Sequence, residues 1–317
     1  MSDTYFEILR PGVNTTIQDK GRNHLYHIGI TVSGAMDQKI FILSNALVNN
    51  NNNIAAIEFA YQGPLLKLHN GNINFSITGD IEFNILRKNS KIEKGKPFQN
   101  YFLENEDQID VVSTKKSVFG YLSVEGGFNI EKIWNSCSTN TKAKIGPNKG
   151  EKFSKGDKLY IKKSKVENFI EKKINYQNVN DKNVRVIKGT NYNYFSEESK
   201  KYFFTEEYMI TNLTDRMGSR LKGKRLENIV NTNIKSEGLV KGVIQVPADG
   251  NPIILFSDHG TIGGYPKIGV VVSADYDKVT QFIPGTKIKF IEVDLKEAEN
   301  LFKSYLEEIK NYLLQIK

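Results

Sequence analysis

The sequence predicts an all-β protein. Short β-branched and aromatic runs recur through its first half, at Leu65–Leu68, Ile73–Thr78 and Ile81–Leu86, punctuated by Gly63-Pro64, Asn70-Gly71 and Gly79-Asp80. Regularly spaced short strands with turn dipeptides between them imply a sandwich or a barrel. In the second half, Val243–Val246 and Ile253–Phe256 flank Pro247-Ala248-Asp249-Gly250-Asn251-Pro252, and Ile268–Val272 follows a glycine-rich loop. Proline fixes φ and removes a donor while Asp-Gly supplies turn geometry, so this reads as strand, turn, strand. Helical periodicity is confined to three places, which argues against alternating βαβ units.

In chain order, Tyr5–Leu9 makes a strand closed by Arg10-Pro11-Gly12, and the alternation of Val13, Thr15 and Ile17 suits a half-buried strand ending at Asp19 and Arg22. Ser33 or Asp37 can cap a helix running to about Val48, with Ile40, Leu43 and Leu47 on one stripe; the five asparagines from Asn49 end it. Strands follow at Glu58–Phe59, Gln108–Val112, Phe119–Val124 and Lys158–Ile161, the last after a Gly- and Lys-rich loop over 141–156. The charged, weakly periodic stretch 162–183 reads as a linker. It divides the chain into a β-barrel subdomain (1–165), a linker (166–183), a second barrel (184–293) and an amphipathic C-terminal helix (294–317). In the second part, strands are expected at Val184–Ile187, Tyr208–Asn212 and Lys287–Val293, and a short helix at 196–203. The terminal helix carries Ala298, Phe302, Leu306, Ile309 and Leu313 at helical spacing.

Of 317 residues, 39% are hydrophobic and 11% aromatic, enough for a packed core. No apolar run reaches the ~18 residues that span a bilayer, and residues 1–20 lack a signal-peptide core. A lone cysteine, Cys137, excludes an internal disulfide framework and fits a reducing compartment, so a cytoplasmic protein is expected. The net charge of +8 is spread among acids without a recognition-helix, zinc-finger or RNA-binding pattern, which argues against nucleic acid. His24 and His27 lack further ligands of a metal site, so no metal is expected. No P-loop, Rossmann or nucleophile-elbow motif occurs. Only seven of the 44 basic residues are arginine, and in a lysine-rich chain a retained guanidinium hints at a planar, multi-donor requirement. Arg216, in Thr214-Asp215-Arg216-Met217-Gly218-Ser219-Arg220-Leu221, is one of them.

The loop from Asp258 to Lys267 (Asp-His-Gly-Thr-Ile-Gly-Gly-Tyr-Pro-Lys) gathers an acid, an imidazole, a hydroxyl, a phenol and an ammonium around three glycines. Loops held between rigid strands commonly carry function. Arg216 and Lys267 can hold a carboxylate, phosphate or carbonate; Gln245 and the loop amides can bind an amide or lactam carbonyl. Asp258 or Glu237 can serve as base and Tyr265 as donor. An alternative for Asp215-Arg216 is an ion network that braces a turn.

Ser236-Glu237-Gly238, Ile244-Gln245-Val246-Pro247, Thr261-Ile262-Gly263-Gly264-Tyr265-Pro266-Lys267-Ile268 and Ser273-Ala274-Asp275, with the Asp215–Leu221 run and Ser33-Gly34-Ala35-Met36-Asp37, resemble the allophanate hydrolase subunit 2 family. This is the biotin-dependent carboxyltransferase family, which includes the C subunit of the bacterial ATP-dependent 5-oxoprolinase. The resemblance covers roughly residues 5–292 and implies two β-barrel subdomains, the second cyclophilin-like. It departs at His259-Gly260, where many members carry Arg-Gln, at Glu125, where a small residue is usual, and over 135–150, where only Ser136, Ser138 and Thr139 persist. The candidate catalytic set is Asp215, Arg216, Glu237, Asp258, Tyr265 and Lys267; the candidate substrate-binding set is Asp19, Arg22, Asp37, Gln245, Thr261, Gly263 and Gly264.

Three functions follow from the resemblance. The first is a 5-oxoprolinase component that opens 5-oxo-L-proline to L-glutamate, with ATP as co-substrate of the complex and no cofactor motif in this chain. Its partners would be a protein like the 5-oxoprolinase B subunit (allophanate hydrolase subunit 1-like) and a LamB/YcsF-type A subunit. The second is half of a biotin-dependent urea or amide carboxylase, and the third a regulatory binding module. The lack of a biotin-attachment or ATP-grasp segment favours the first.

Overall fold

The computed structural model describes residues 3–162, 169–178, 181–230 and 233–316. It divides into two compact units, one of Met1–Arg22, Ser33–Asn178 and Glu308–Lys317, the other of Asn23–Val32 and Val179–Glu307. The fold is mostly β, as expected.

The first unit contains strands β1 (Tyr5–Arg10), β2 (Thr16–Gln18), β3 (Ala56–Ala60), β4 (Leu65–His69), β5 (Ile73–Thr78), β6 (Ile81–Leu86), β7 (Ile92–Lys94), β8 (Gln99–Leu103), β9 (Gln108–Thr114), β10 (Phe119–Val124) and β11 (Lys158–Tyr160). They form two antiparallel sheets, ordered β11-β1-β4-β9-β6-β7 and β2-β3-β10-β5-β8, rather than one closed ring. Alternation explains the common core: Phe6 and Ile8 of β1 register against Leu68 and Leu66 of β4, and Ile81, Phe83 and Ile85 of β6 point the same way. Phe59, Phe75, Ile77 and Leu122 answer from the other sheet. Each such side chain, fully buried, contributes about 1.5–3 kcal/mol before entropy is counted.

Helix α1 (Gln38–Leu47) starts where Asp37 accepts a hydrogen bond from Ile40 N at 3.1 Å. It buries Ile40, Phe41, Leu43 and Leu47, and Asn49 adopts φ 58° just past its end, as the asparagine run predicts. The expected half-buried alternation at 13–17 is not what forms. Val13 is exposed, whereas Thr15 through Asp19 are all buried. The reason is a polar strap: Thr139 N bonds Ile17 O, and Gln18 Nε2 bonds Thr139 O at 2.9 Å, so residues 136–140 cover the outer face of β2. The loop over 141–156 contains a left-handed turn, with Asn148 at φ 53° and Lys149 at φ 57°. His69 pairs with Glu7 at 2.9 Å and stacks on Tyr5, a structural role. Cys137 is buried, and that burial pushes its thiol pKa up.

Of the expected linker, residues 163–168 and 179–180 lie outside the described residues. Residues 169–178 pack along β8. Lys172 exchanges hydrogen bonds with Asn100, Ile174 is buried, and Tyr176 stacks on Phe98 with ring centroids 4.2 Å apart. A polar composition did not reveal that this segment satisfies its backbone on a strand edge.

The second unit contains β12 (Asn183–Lys188), β13 (Glu207–Thr214), β14 (Gly218–Lys222), β15 (Glu237–Gly238), β16 (Val243–Gln245), β17 (Ile253–Leu255), β18 (Ile262–Gly263), β19 (Lys267–Val271) and β20 (Lys287–Glu292). Seven of these close a barrel in the order β12-β19-β16-β17-β14-β13-β20, and β15 and β18 form a separate two-stranded ribbon. All pairings are antiparallel except β12 with β20. Val186, Tyr208, Leu221, Ile244, Ile254, Ile288 and Phe290 are buried. Phe203 of α2 (Glu197–Thr205), a helix capped by Ser196, stacks on Phe290.

Helix α3 (Ser273–Thr280) was not expected. Its apolar signal, Tyr276 and Val279, is too short to stand out, and it is held by tertiary bonds: Asp275, 1% exposed, accepts from Arg185 N, Nε and Nη2. Helix α4 (Leu295–Leu314) forms where the periodicity puts it, but the buried stripe is rotated. Phe302 and Leu306 are exposed, while Tyr305 and Ile309 are buried and Tyr312, Leu313 and Ile316 pack on a core cluster. Among the described residues no helix is long and apolar enough to cross a membrane.

Candidate functional site

Register on one face of the second barrel brings the first group together. Gln245 of β16 pairs directly with Lys267 of β19, after a bulge between Ile244 and Gln245. Opposed residues share a face, so both side chains emerge on the same side, next to Val243, Ile253, Leu255 and Val270. Leu239 packs on those four apolar groups, anchoring the β15–β18 ribbon to the barrel wall. The ribbon covers the polar pair: Glu237 registers against Gly263, and Leu239 N bonds Thr261 O at 2.9 Å.

Lys267 Nζ then meets Glu237 Oε2 in an ion pair. The Lys267 side chain is 5% exposed and that of Glu237 42%, so a buried cation is neutralised by a carboxylate open to solvent. The hydrogen bond from Lys267 holds the Glu237 carboxyl below its usual range, with a smaller contribution from Asn191 in the same direction. Gln245 Nε2 donates to Tyr265 O at 3.3 Å, leaving the Tyr265 phenol 40% exposed. A side chain at Gly263 would stand 2.8 Å from Leu239 Cδ1 and 2.9 Å from Gln245 Nε2, so only glycine lets ribbon and amide lie this close. Gly264 O accepts from Ile234 N.

Arg216 and Asp258 form a second group. Arg216 Nε and Nη2 reach Asp258 Oδ2 and Oδ1 at 2.8 and 3.1 Å, a fork on a carboxylate, and both residues are buried. Asp258 N also bonds Arg216 O. Two groups expected to face a ligand therefore face each other, and they tie the β13–β14 turn to the start of the 258–267 loop. Asp215 is exposed and accepts from Met217 N at 2.8 Å, so it and Arg216 do aim at different partners.

His259, next in sequence, is 2% exposed. Its Nδ1 lies 2.5 Å from Gly260 O, which only accepts, so Nδ1 carries the proton and Nε2 accepts from Tyr26 OH at 3.2 Å. Burial lowers the His259 pKa, which keeps the ring neutral. Lys241 sets its ammonium 4.8 Å from the centre of the buried Tyr276 ring, and desolvation there lowers its pKa.

Asp19, Arg22 and Asp37 belong to the first unit. The Asp19 carboxylate accepts from Gly21 N, Ser136 Oγ, Cys137 N and Ser138 Oγ, all within 2.8 Å. Four donors make it a tie between β2 and the 136–140 strap. Arg22 is buried and bonds Ser138 O, and Asp37 caps α1.

The sequence pattern of the carboxyltransferase domain, subdomain A and B, matches residues 28–292. The chain belongs to that family. Among its relatives is the C subunit of the 5-oxoprolinase of Haemophilus influenzae, 32% identical over 96% of this chain and 97% of its own length. The corresponding 5-oxoprolinase C subunit of Escherichia coli is 30% identical, covering 92% of each. In the solved structures, the urea amidolyase of Kluyveromyces lactis superposes with a TM-score of 0.89 at 25% identity, over 98% of this chain. This chain spans about a fifth of that much longer protein, 20% of its length.

For a member of the carboxyltransferase family, the second-unit cluster includes two residues that sequence reasoning missed. Asn191 touches both members of the Glu237–Lys267 pair. It sits in Thr190-Asn191-Tyr192-Asn193, where nothing in residue type or spacing marks it. Tyr26 reaches His259 from a segment read only for its histidines. Cavities of about 440, 520 and 380 Å³ open in the first unit, and none of the three is lined by the clustered residues of the second. In the 440 Å³ opening the cations Arg87, Lys88 and Lys91 are already matched by Glu93, Glu104 and Asp107, which leaves the second-unit cluster as the stronger candidate.

Proposed function

We propose that this chain is the C subunit of an ATP-dependent 5-oxoprolinase, which opens 5-oxo-L-proline to L-glutamate in the cytoplasm. The observation that carries the reading is the end-to-end match to the Haemophilus influenzae protein, 97% of whose length aligns at 32% identity. The geometry of the second unit supports it. A lactam ring presents a carbonyl, an N–H and, in this substrate, a carboxylate. Gln245 offers an amide for the ring, Tyr265 an exposed phenol as donor, and Glu237 a carboxylate kept ionised by Lys267 as proton acceptor. Thr261, Gly263 and Gly264 supply the ribbon backbone around them. Arg216 and Asp258 position the loop through their mutual fork, and Asp19, Arg22 and Asp37 brace their own unit.

The pair Glu237–Lys267 is closed on itself in this structure, and the chain carries no nucleotide motif. The reading therefore includes partner proteins, one B-like and one of the LamB/YcsF-type A class, that complete the site and bring ATP into the reaction. The chain alone is expected to be silent. The likeness to urea amidolyase favours a second reading, transfer of a carboxyl group from carboxybiotin to urea or another amide. One reconstitution separates the two: glutamate formed from 5-oxoproline and ATP with both partners present supports the first. Urea carboxylation with carboxybiotin, and no glutamate, would overturn it.

A further inference from the structure

The turn Gly189-Thr190-Asn191 wraps the backbone of Lys267. A side chain at Gly189 would lie 2.3 Å from Lys267 O, so the close approach depends on that glycine. Beyond it, Asn191 takes hold of Lys267 at both backbone polar groups: its N–H donates to Lys267 O at 3.2 Å, and its Oδ1 accepts from Lys267 N at 3.1 Å. The same side chain turns its Nδ2 to Glu237 Oε1, 3.5 Å away, on the carboxylate whose other oxygen holds the Lys267 ammonium. One amide, 3% exposed, thus grips the strand that carries the cation and the carboxylate that neutralises it.

We infer that Asn191 is a positioning residue for the reaction, fixing Glu237 and Lys267 against each other so that the carboxylate stays aimed. The inference rests on the reading that these two residues serve the lactam-opening chemistry. An asparagine suits the task because it offers an acceptor and a donor on one short planar group: Oδ1 is needed by the Lys267 N–H and Nδ2 by the carboxylate. Its removal frees one ribbon carboxylate from its inner tether while the adjoining barrel ladder, Lys188 with Gly269 and Gly189 N with Ile268 O, stays intact.

Two variants test this in two ways. Asn191→Asp keeps the acceptor for Lys267 N–H but loses the donor and sets a like charge beside Glu237; Asn191→Ala loses both contacts. In the chain alone, the Glu237 carboxyl is followed by carbon NMR, assigned by its absence in Glu237→Gln. Its pKa is expected to rise by about half a pH unit or more in Asn191→Ala and further in Asn191→Asp. In the assembled enzyme, kcat is expected to fall about 5-fold or more with KM within about 2-fold, and the acidic limb of the pH profile to move up with the Glu237 titration. An unchanged Glu237 titration with only a lower melting temperature would overturn the inference and leave Asn191 a structural clamp. If the wild-type assembly makes no glutamate, the proposed function falls; the NMR titration still decides whether Asn191 tunes the pair.

Discussion

The Glu237–Lys267 pair is unequal, and that inequality makes a quantitative prediction. Lys267 is buried while Glu237 reaches solvent, so the two deletions should not cost the same. Glu237→Gln leaves a buried ammonium facing a neutral amide. Breaking a fully buried pair costs about 3–5 kcal/mol and a surface pair about 0–1 kcal/mol. With one partner open to water and a glutamine oxygen still able to accept, the expected cost is about 1–2 kcal/mol. Lys267→Met removes the charge that had to be buried and lets Glu237 resolvate, so its cost is expected below about 0.5 kcal/mol. Acid should reproduce the first variant. Glu237 has a folded-state pKa below its unfolded value, so its stabilisation is present above about pH 4.3 and is lost as pH falls through the lowered value. Calorimetry of wild type and both variants from pH 7 to 3 measures this. The wild type should converge on Glu237→Gln at the acidic end. A costlier Lys267→Met, or a wild type and Glu237→Gln that stay parallel with pH, would refute the reasoning.

Three further outcomes are expected. Asp275→Asn should destabilise the second unit by about 2–4 kcal/mol, because a carboxylate 1% exposed accepts three bonds from Arg185 and stands 3.3 Å from Lys278; thermal unfolding followed by circular dichroism checks it. Replacing His259 by Gln should flatten stability between pH 7 and 5. The folded-state pKa of this histidine is lowered by burial, so the wild type loses stability as pH drops below the unfolded value near 6.5 and the variant does not. Gly263→Ala should reduce glutamate formation by the assembled enzyme about 5-fold or more, since a methyl group 2.9 Å from Gln245 Nε2 turns that amide away; an unchanged rate would remove Gln245 from the substrate contacts.

The strands were legible because period-two burial, as in Ile81–Leu86, and turn dipeptides are local signals. So was the cap of α1, where Asp37 stands just ahead of an apolar stripe. What stayed hidden depends on closure. Arg216 finds Asp258 only once β14 lies against β17, and Lys267 finds Glu237 only when the ribbon folds onto the wall. Residue type placed Arg216, Glu237, Gln245 and Lys267 among the candidates, but it could not tell a ligand-facing guanidinium from one already occupied. Residues 13–19 read as a half-buried strand because the strap that buries Thr16, Gln18 and Asp19 lies some 120 positions away, Gln18 to Thr139 being 121 apart. The buried stripe of α4 was misjudged because two apolar faces compete on it, and tertiary contacts at Tyr305 and Tyr312 choose between them.

The barrel order has a consequence for how the second unit is made. Strand β20 is the last of the seven in sequence, yet it sits between β12 and β13, the first two. Until Lys287–Glu292 has left the ribosome, both of those early strands present a bare row of peptide groups with no neighbour on that side. Unpaired edges of this kind template association between chains, and their closure waits on a contact about a hundred residues distant, the sort of non-local step that slows folding. The edge residues themselves temper the hazard: Glu207 of β13 and Arg185 and Lys188 of β12 place charge along the open seam. A chain cut short before Lys287 is thus expected to be a sticky half-barrel, and the time for which the seam stays open becomes a property on which the protein's yield in the cell depends.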